Sequence, residues 1–212
     1  MMKSEQNQKG HGALYVIAAP SGAGKTSLVK RLIETTPDIT VSVSHTTRQA
    51  RPGEVHGKHY YFVPKAEFTA LRDQGAFLEH AQVFDHYYGT ARQLVDETLA
   101  KGVDVVLEID WQGAQQVRKQ YPGCCGIFIL PPSRQILQER LTARGQDDSK
   151  VIARRMQDAV SEISHYQEFD YLIVNDNFDE ALSQLQAVIV ARRLRIQVQS
   201  QRQERLLQQL LQ

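Results

Sequence analysis

The sequence has little of what marks a secreted, zinc-binding or membrane-spanning protein. Cys124 and Cys125 are its only cysteines and are adjacent, so they have neither the spacing of a zinc site nor a partner for an ordinary disulfide. No apolar run approaches the roughly 20 residues that span a bilayer, and residues 1–12 lack the apolar stretch of a signal peptide. We therefore expect a soluble, cytoplasmic protein without a membrane partner.

Charge of either sign is not in excess. The 212 residues include 25 lysines and arginines and 24 aspartates and glutamates, which gives a net charge of +1. Proteins that bind nucleic acid through its phosphates usually carry a basic excess, so we expect no nucleic-acid partner. The length suits one large domain, or a core that carries small inserted lobes.

Apolar runs and helical stretches alternate along much of the chain. Runs typical of buried strands lie at residues 14–18, 103–109, 126–130 and 171–174, and amphipathic stretches lie at about 25–35, 91–101, 112–120, 134–143 and 150–167. The alternation predicts an α/β fold with a parallel sheet flanked by helices. From residue 41 to residue 88 this alternation stops. A turn-rich segment and two β-rich segments, at residues 40–43 and 60–63, predict a small inserted lobe there.

A glycine-containing loop at residues 19–26 joins the first predicted strand to the first predicted helix. Gly22 and Gly24 allow backbone conformations in which several N–H groups converge on one phosphate. Lys25 adds a positive charge, Thr26 offers a hydroxyl to Mg²⁺, and the helix directs its positive end to the same place. The eight residues are Ala19, Pro20, Ser21, Gly22, Ala23, Gly24, Lys25 and Thr26, with alanine where the general motif begins with glycine. We predict that they bind a nucleoside triphosphate.

Two arginines suggest a second phosphate site. Arg48 and Arg51 are three residues apart in a turn-rich segment, so their guanidinium groups can clamp one phosphate from two sides. Tyr60 and Tyr88 are candidates for additional hydroxyl donors. Without the loop at residues 19–26 the pair would indicate a solvated basic loop, and together with that loop it predicts a second phosphate-binding site.

Three carboxylates are candidates for ligand recognition. Glu79 follows two apolar residues. A carboxylate there can accept two hydrogen bonds from guanine, whereas it disfavours adenine, whose N1 is also an acceptor. Glu108 and Asp110 end a predicted strand and point to one face, at the strand end where open α/β sheets bind ligands. Two interpretations stay open for this pair: it organises Mg²⁺ and its waters, or it holds the acceptor base.

The order of these motifs resembles that of the bacterial guanylate kinase family. The resemblance runs from about residue 13 to at least residue 190, in segments 19–26, 44–54, 57–62, 87–90, 108–113, 131–133, 140–145 and 173–176. It implies Mg²⁺-dependent transfer of the γ-phosphoryl group of ATP to GMP. It also implies a P-loop NTPase-type parallel sheet, an inserted β-rich lobe that binds GMP, and a helical lid.

The resemblance implies a role for each matched residue. It assigns the GMP phosphate to Arg48, Arg51, Tyr60 and Tyr88. It assigns the guanine to Ser44, Glu79, Thr90 and Asp110, with Glu108 beside them, and Thr90 stands where many relatives have serine. ATP contacts fall to residues 19–26 and Asn175, and the lid arginines are Arg140, Arg144 and Arg155. The expected catalytic residues are Lys25, Arg48 and the three lid arginines, and the expected Mg²⁺ ligand is Thr26, with Asp110 acting through water.

The implied organisation is a single domain with three parts and a tail. The core lies at about residues 13–40, 91–130 and 167–196, the GMP-binding lobe at about 41–90, and the lid at about 131–166. In the tail, residues 197–212, four leucines form one apolar stripe on a short helix. The stripe either packs back on its own domain, joins a second subunit or belongs to a frayed end, and we expect a homo-oligomer.

Two other functions stay open at this stage. One is a different small-molecule kinase of the same build, such as a ribose-bisphosphate kinase. The other is a guanylate-kinase-like module that binds protein partners and has lost catalysis. Glu79 and the arginine pair favour GMP over the first, and the intact Lys25 and Thr26 disfavour the second.

Overall fold

The computed structural model describes residues 11–83, 85–143 and 149–212. The strands of these ranges are β1 Leu14–Ala18, β2 Ile39–Val41, β3 His45–Thr46, β4 Tyr61–Phe62, β5 Phe77–Val83, β6 His86–Ala91, β7 Asp104–Glu108, β8 Cys125–Leu130 and β9 Tyr171–Val174. The helices are α1 Lys25–Thr35, α2 Lys65–Asp73, α3 Arg92–Ala100, α4 Trp111–Gln120, α5 Arg134–Ala143, α6 Ser149–Ile163, α7 Phe178–Arg193, α8 Ile196–Arg202 and α9 Glu204–Leu210, with a 3₁₀ turn at Tyr166–Glu168.

Five parallel strands form the central sheet in the order β2-β7-β1-β8-β9. Every residue of β1 is buried, because alternate side chains of this central strand enter two different cores. Tyr15 and Ile17 pack with α1 and α7 on one face. Leu14 and Val16 pack with α3 and α4 on the other. The predicted parallel sheet with helices on both faces is confirmed.

Strand β2 corrects one detail of the sequence prediction, which placed residues 40–43 in the inserted lobe. Ile39 to Val41 instead pair in parallel with residues 104–106 of β7, at the edge of the central sheet. A three-residue edge strand has too short a pattern to indicate which sheet it joins.

A second sheet lies within residues 45–91 and has the strand order β4-β3-β6-β5. Strands β5 and β6 are antiparallel, as are β3 and β6. Helix α2, which was not predicted, covers this sheet through Phe68, whose ring lies 4.6 Å from that of Phe77 and 5.6 Å from that of Tyr87. The sheet therefore has a small aromatic core of its own.

Helix α7 closes the central sheet and was not predicted, although its start carries a recognisable signal. The side chain of Asn177 accepts hydrogen bonds from the N–H groups of Asp179 and Glu180 at 2.9 and 3.1 Å, which is a typical N-cap. At its other end Arg193 donates to Asp104 at 2.8 Å, and Asp104 is only 1% exposed. This pair fixes the end of α7 to the start of β7.

Helices α5 and α6 pack on each other through Leu137, Leu141, Met156 and Ala159. The helix predicted at residues 150–167 ends at Ile163, and the ring of His165 then stacks on that of Trp111 with 3.4 Å between centroids. Beyond α7 the chain ends in the short helices α8 and α9. Across the described ranges, no helix combines the length and the apolar character needed to cross a membrane.

Candidate active site

Two cavities adjoin at the carboxyl ends of β1 and β7. One, of about 280 Å³, is lined by the loop at residues 19–26. The other, of about 330 Å³, lies between the central sheet and the second sheet and is lined by Ser44, Tyr60, Glu79, Ala81, Tyr88 and Glu108. The cavities share a wall formed by Lys25, Ile109, Asp110 and Glu162. Ligands in the two cavities would therefore meet at these four residues.

The loop at residues 19–26 has the curvature that a phosphate-binding loop requires. Gly22 and Gly24 have φ angles of 95° and 91°, a region that other residues rarely adopt. A Cβ atom at Gly24 would lie 2.4 Å from Nδ2 of Asn175, and that nitrogen donates to the carbonyl of Ala23 at 2.7 Å. Asn175 is buried, so its amide holds the loop in shape. Whether it also contacts adenine stays a prediction.

Lys25 occupies the shared wall. Its Nζ donates to the carbonyl of Ile109 at 3.2 Å, just beyond the end of β7. Burial lowers the pKa of Lys25, and the charges of Glu108 and Asp110 oppose that shift. Thr26, the next residue, donates its hydroxyl to Glu108 at 3.1 Å. Strand-end acids therefore compensate the charge of the lysine from the side of β7.

Three of the four predicted guanine residues form one hydrogen-bonded chain. The hydroxyl of Thr90 donates to Oε1 of Glu79 at 2.6 Å and lies 3.4 Å from the hydroxyl of Ser44. Glu79 is 4% exposed, and burial raises its pKa from 4.5 to about 7, with the charge of Asp110 contributing. A Cβ atom at Gly113 would lie only 3.0 Å from Oε2, the other carboxylate oxygen of Glu79. Gly113 therefore leaves the room that this carboxylate occupies.

Asp110, the fourth of these residues, is the N-cap of α4. Its Oδ1 accepts the N–H of Gly113 at 2.7 Å, which fixes the carboxylate at the entrance of the helix. Asp110 lines both cavities, whereas Glu108 lines the larger one and contacts Thr26. The structure therefore brings both strand-end acids to the site.

The predicted arginine clamp is not assembled in this structure. Both terminal nitrogens of Arg48 donate to Glu54, at 2.8 and 3.0 Å, and the guanidinium lies 5.5 Å from the ring centre of Tyr60. This hydrogen bonding holds the pKa of Glu54 at about 2. Arg51 is exposed and donates its backbone N–H to the same carboxylate. The rings of Tyr60 and Tyr88 lie edge to face, 5.9 Å apart.

Of the lid arginines, the two that the structure describes, Arg140 and Arg155, do not lie at the shared wall. Arg140 donates to the carbonyl of Asn175 at 3.1 Å, and its buried Nη1 has no hydrogen-bond partner among the described residues. Arg155 lies on α6, and in the described part of the lid neither it nor Arg140 lines the two cavities. Arg144 lies outside the described residues.

Sequence reasoning missed two features of the site. Glu162 of α6 lines both cavities and accepts the N–H of Ser21 at 3.2 Å, and a single glutamate on an amphipathic helix gives no local signal of such a contact. The other is the carbonyl of Ile109, a backbone group that sequence patterns do not report. Gly113, by contrast, lies within a segment that carried the resemblance.

A third cavity, of about 340 Å³, lies at the opposite end of the central sheet and includes Asp104, Arg192 and Arg193 in its lining. These three side chains make contacts that hold parts of the fold together. Arg193 pairs with Asp104, and Arg192 donates to the carbonyl of Gly123. We therefore assign the chemistry to the two adjoining cavities.

Comparison with known proteins gives a consistent result. A profile of the guanylate kinase family matches residues 11–192. Guanylate kinases of Saccharophagus degradans and Methylococcus capsulatus are 60% and 61% identical to this chain over 200 residues, which cover 94% of the chain and 98% of each relative. The Escherichia coli guanylate kinase is 58% identical over 202 residues. The crystal structure of guanylate kinase from Anaplasma phagocytophilum matches with a TM-score of 0.73 at 35% identity and covers 89% of both chains.

We predict that ionisation of Glu79 destabilises the protein without ligands. Because its folded pKa of about 7 exceeds the ordinary 4.5, the folded state binds more protons in this window, and stability falls as pH rises from about 4.5 to about 7. Between pH 5 and pH 8 the unfolding free energy should fall by roughly 2–3 kcal/mol more in the native protein than in Glu79→Gln. Urea unfolding measures both, and Glu67→Gln, an exposed change of the same type, should behave like the native protein. An identical pH dependence of the native protein and Glu79→Gln would contradict the prediction.

Proposed function

Because the chain belongs to the guanylate kinase family and transfers a phosphoryl group from ATP to GMP, we propose that the smaller cavity holds ATP phosphates and the larger holds GMP. The observation that carries this division is the wall shared by the two cavities, at which Lys25 reaches both. A phosphate chain on the loop at residues 19–26 and an acceptor phosphate in the larger cavity would meet there. Direct transfer needs such a meeting, since proximity supplies much of the rate.

We propose that guanine binds the carboxylate of Glu79 through its N1–H and its exocyclic amine. The bond from Thr90 leaves this carboxylate with lone pairs that face the cavity, and Ser44, Asp110 and Glu108 lie beside it. GMP binding would favour the ionised form of Glu79, because two donors then replace water at a carboxylate that is otherwise poorly solvated. Adenine offers an acceptor where guanine offers N1–H, so AMP would leave the carboxylate unsatisfied.

The acceptor phosphate is assigned to Arg48, Arg51, Tyr60 and Tyr88. Arg48 is held near Tyr60 by its pair with Glu54, and a phosphate can replace that carboxylate as the partner of the guanidinium. Arg51 is exposed, with its backbone N–H on the same carboxylate, and would complete the clamp. We expect the arginine pair to close on GMP when the nucleotide arrives.

On the donor side, residues 19–26 would hold the phosphates of ATP with their N–H groups, with Lys25 neutralising the group in transfer. The arginines Arg140, Arg144 and Arg155 are proposed to approach from the lid, and Arg144 has this role by resemblance alone. Asn175 supports the loop and is proposed to lie near adenine. Lid closure would keep water away from the phosphoryl group.

We propose that the metal ion is Mg²⁺ and that it is held by Thr26, with Glu108 and Asp110 acting through water. These oxygen ligands suit a hard cation, and the hydroxyl of Thr26 lies 3.1 Å from Glu108. Among residues 11–83, 85–143 and 149–212, no three His, Cys, Asp or Glu side chains could hold a metal ion by themselves. This fits Mg²⁺, which commonly keeps several waters and shares substrate phosphates. When bound, the ion neutralises charge on the phosphates of ATP.

The reaction itself needs no strong general base, because the acceptor phosphate is already anionic near neutral pH. The work of the protein is to bring two anions together in line and to neutralise the charge on the group between them. Lys25 and the lid arginines do the second, while Arg48 and Arg51 do the first.

We further propose a cytoplasmic location, where the free thiols of Cys124 and Cys125 stay reduced, and no nucleic-acid or membrane partner.

The C-terminal helix α9 is proposed to join a second copy of the chain. Leu206, Leu207, Leu210 and Leu211 are between 40% and 85% exposed, so the stripe does not pack back on its own domain. An isologous contact between two such stripes would bury it.

We expect the double variant Leu206→Lys/Leu210→Lys to lower the mass measured by light scattering at micromolar concentration. Leu94→Lys, an exposed leucine on α3, is the control, and an unchanged mass in the double variant would refute the contact.

The assignment of Glu79 predicts selective damage to GMP recognition. In Glu79→Gln the amide cannot accept both guanine donors, so kcat/KM for GMP should fall by roughly 10- to 100-fold while the KM for ATP changes little. A coupled ADP-release assay measures this with GMP, AMP, CMP, UMP and ribose bisphosphate as acceptors, and Glu67→Gln is the matched control. Unaffected GMP kinetics, or a loss of ATP affinity instead, would show that Glu79 is not the base-recognising residue.

A further inference from the structure

A carboxylate from helix α6 rests on the phosphate-binding loop. Oε2 of Glu162 lies 3.2 Å from the backbone N of Ser21 and accepts its N–H. Glu162 is partly buried, in the last turn of α6, and lines both the smaller and the larger cavity. None of the roles derived above uses this residue.

The contact places an anion where the loop is built to receive one. Glycine-rich loops that precede a helix direct N–H groups and the positive helix end at anionic oxygens. A carboxylate oxygen can occupy such an N–H in the same way as a phosphate oxygen, since both are anionic acceptors. Glu162 also faces Lys25, whose positive charge favours its ionised form against the effect of burial, which raises the pKa of Glu162.

A bound phosphate chain changes the balance of this contact. The loop and Lys25 would then face the phosphates of the donor, and Glu162 would stand beside them as a second anion at the same N–H. Two negative charges beside the same N–H group repel each other, most strongly where water is excluded. The two anions are therefore competitors for one place.

We propose that Glu162 is a stand-in for the donor phosphate, which occupies the phosphate-binding loop in the empty protein and leaves it when the donor binds. The inference rests on the proposed donor cavity. It makes α6 responsive to the donor, because exchange of the carboxylate for phosphate frees the last turn of this helix from the loop. Glu162 is a positioning residue for α6 and takes no part in bond making.

The direction in which phosphate affinity changes when Glu162 is removed shows whether Glu162 competes with phosphate or supports the loop. If Glu162 competes with phosphate, Glu162→Ala binds more tightly than the native protein. If it merely braces the loop, the same variant binds more weakly. With inorganic pyrophosphate and with ADP as titrants, calorimetry should show dissociation constants lower by roughly fivefold to tenfold in Glu162→Ala, the effect of losing one charge-assisted hydrogen bond. Equal or weaker binding would overturn the proposal.

Two further variants exclude trivial explanations. Asp158→Asn removes a charge from an exposed position one turn earlier on α6, and it should change binding by less than twofold. A gain equal to that of Glu162→Ala would mean a general charge effect and would overturn the proposal. Glu162→Gln keeps the shape and a neutral acceptor, so it should bind about threefold more tightly even if the alanine variant folds poorly. An unchanged affinity in this variant also counts against the stand-in.

Lys25→Ala separates this inference from the proposed donor site. If Lys25→Ala loses pyrophosphate binding while the Glu162 variants gain none, the donor cavity stands and the role of Glu162 fails. If Lys25→Ala binds pyrophosphate normally, the donor cavity is assigned wrongly, and the stand-in fails with it. Hydrogen exchange in the empty protein gives a second readout. Amides at residues 159–163 should exchange faster in Glu162→Ala than in Asp158→Asn, and equal exchange would contradict the contact.

Discussion

The site depends on compensating the positive charge of Lys25, which is partly buried at the end of the central sheet. A buried ammonium group is costly unless hydrogen bonds and opposite charges compensate it. The carbonyl of Ile109 accepts a hydrogen bond from it, and the charges of Glu108, Asp110 and Glu162 favour its charged form. These groups come from β7, from the start of α4 and from α6, so compensating one charge draws three elements to one wall. The two cavities adjoin at that wall.

Binding groups in this structure already have internal anionic partners. Arg48 pairs with Glu54 beside Tyr60, which lines the larger cavity, and the N–H of Ser21 is taken by Glu162. Each pairing keeps a polar group satisfied without a ligand, and each places a carboxylate where we propose a phosphate. In this proposal each substrate exchanges its own phosphate for one of the two carboxylates, which limits the gain in affinity but favours ligands that carry a phosphate. Displacement of those carboxylates would also bring Arg48 and α6 into their working positions.

The features that sequence patterns predicted are those with local signals. The strand, the glycines and the helix around residues 19–26 follow one another along the chain, and their parallel-sheet context is confirmed. Strand β2 was placed wrongly because three residues carry no pattern that selects a sheet. The pair Arg48–Glu54 was not foreseen, because an arginine in a loop can pair with a carboxylate of its own chain or with the phosphate of a ligand. The sequence alone does not distinguish these two partners. Glu162 meets Ser21 only through folding, at a sequence separation of 141 positions, so no local pattern reports it.

The most direct test of the shared wall is single-turnover transfer from ATP to GMP by Lys25→Ala, with GMP binding measured separately. We expect transfer to fall by at least about 100-fold, because a preorganised charge on the group in transfer is lost. The dissociation constant of GMP should stay within a few-fold of the native value, since we propose that other residues hold guanine and the acceptor phosphate. Lys30→Ala, an exposed lysine on the same helix, should transfer normally. Near-native transfer by Lys25→Ala would contradict the assignment of the wall.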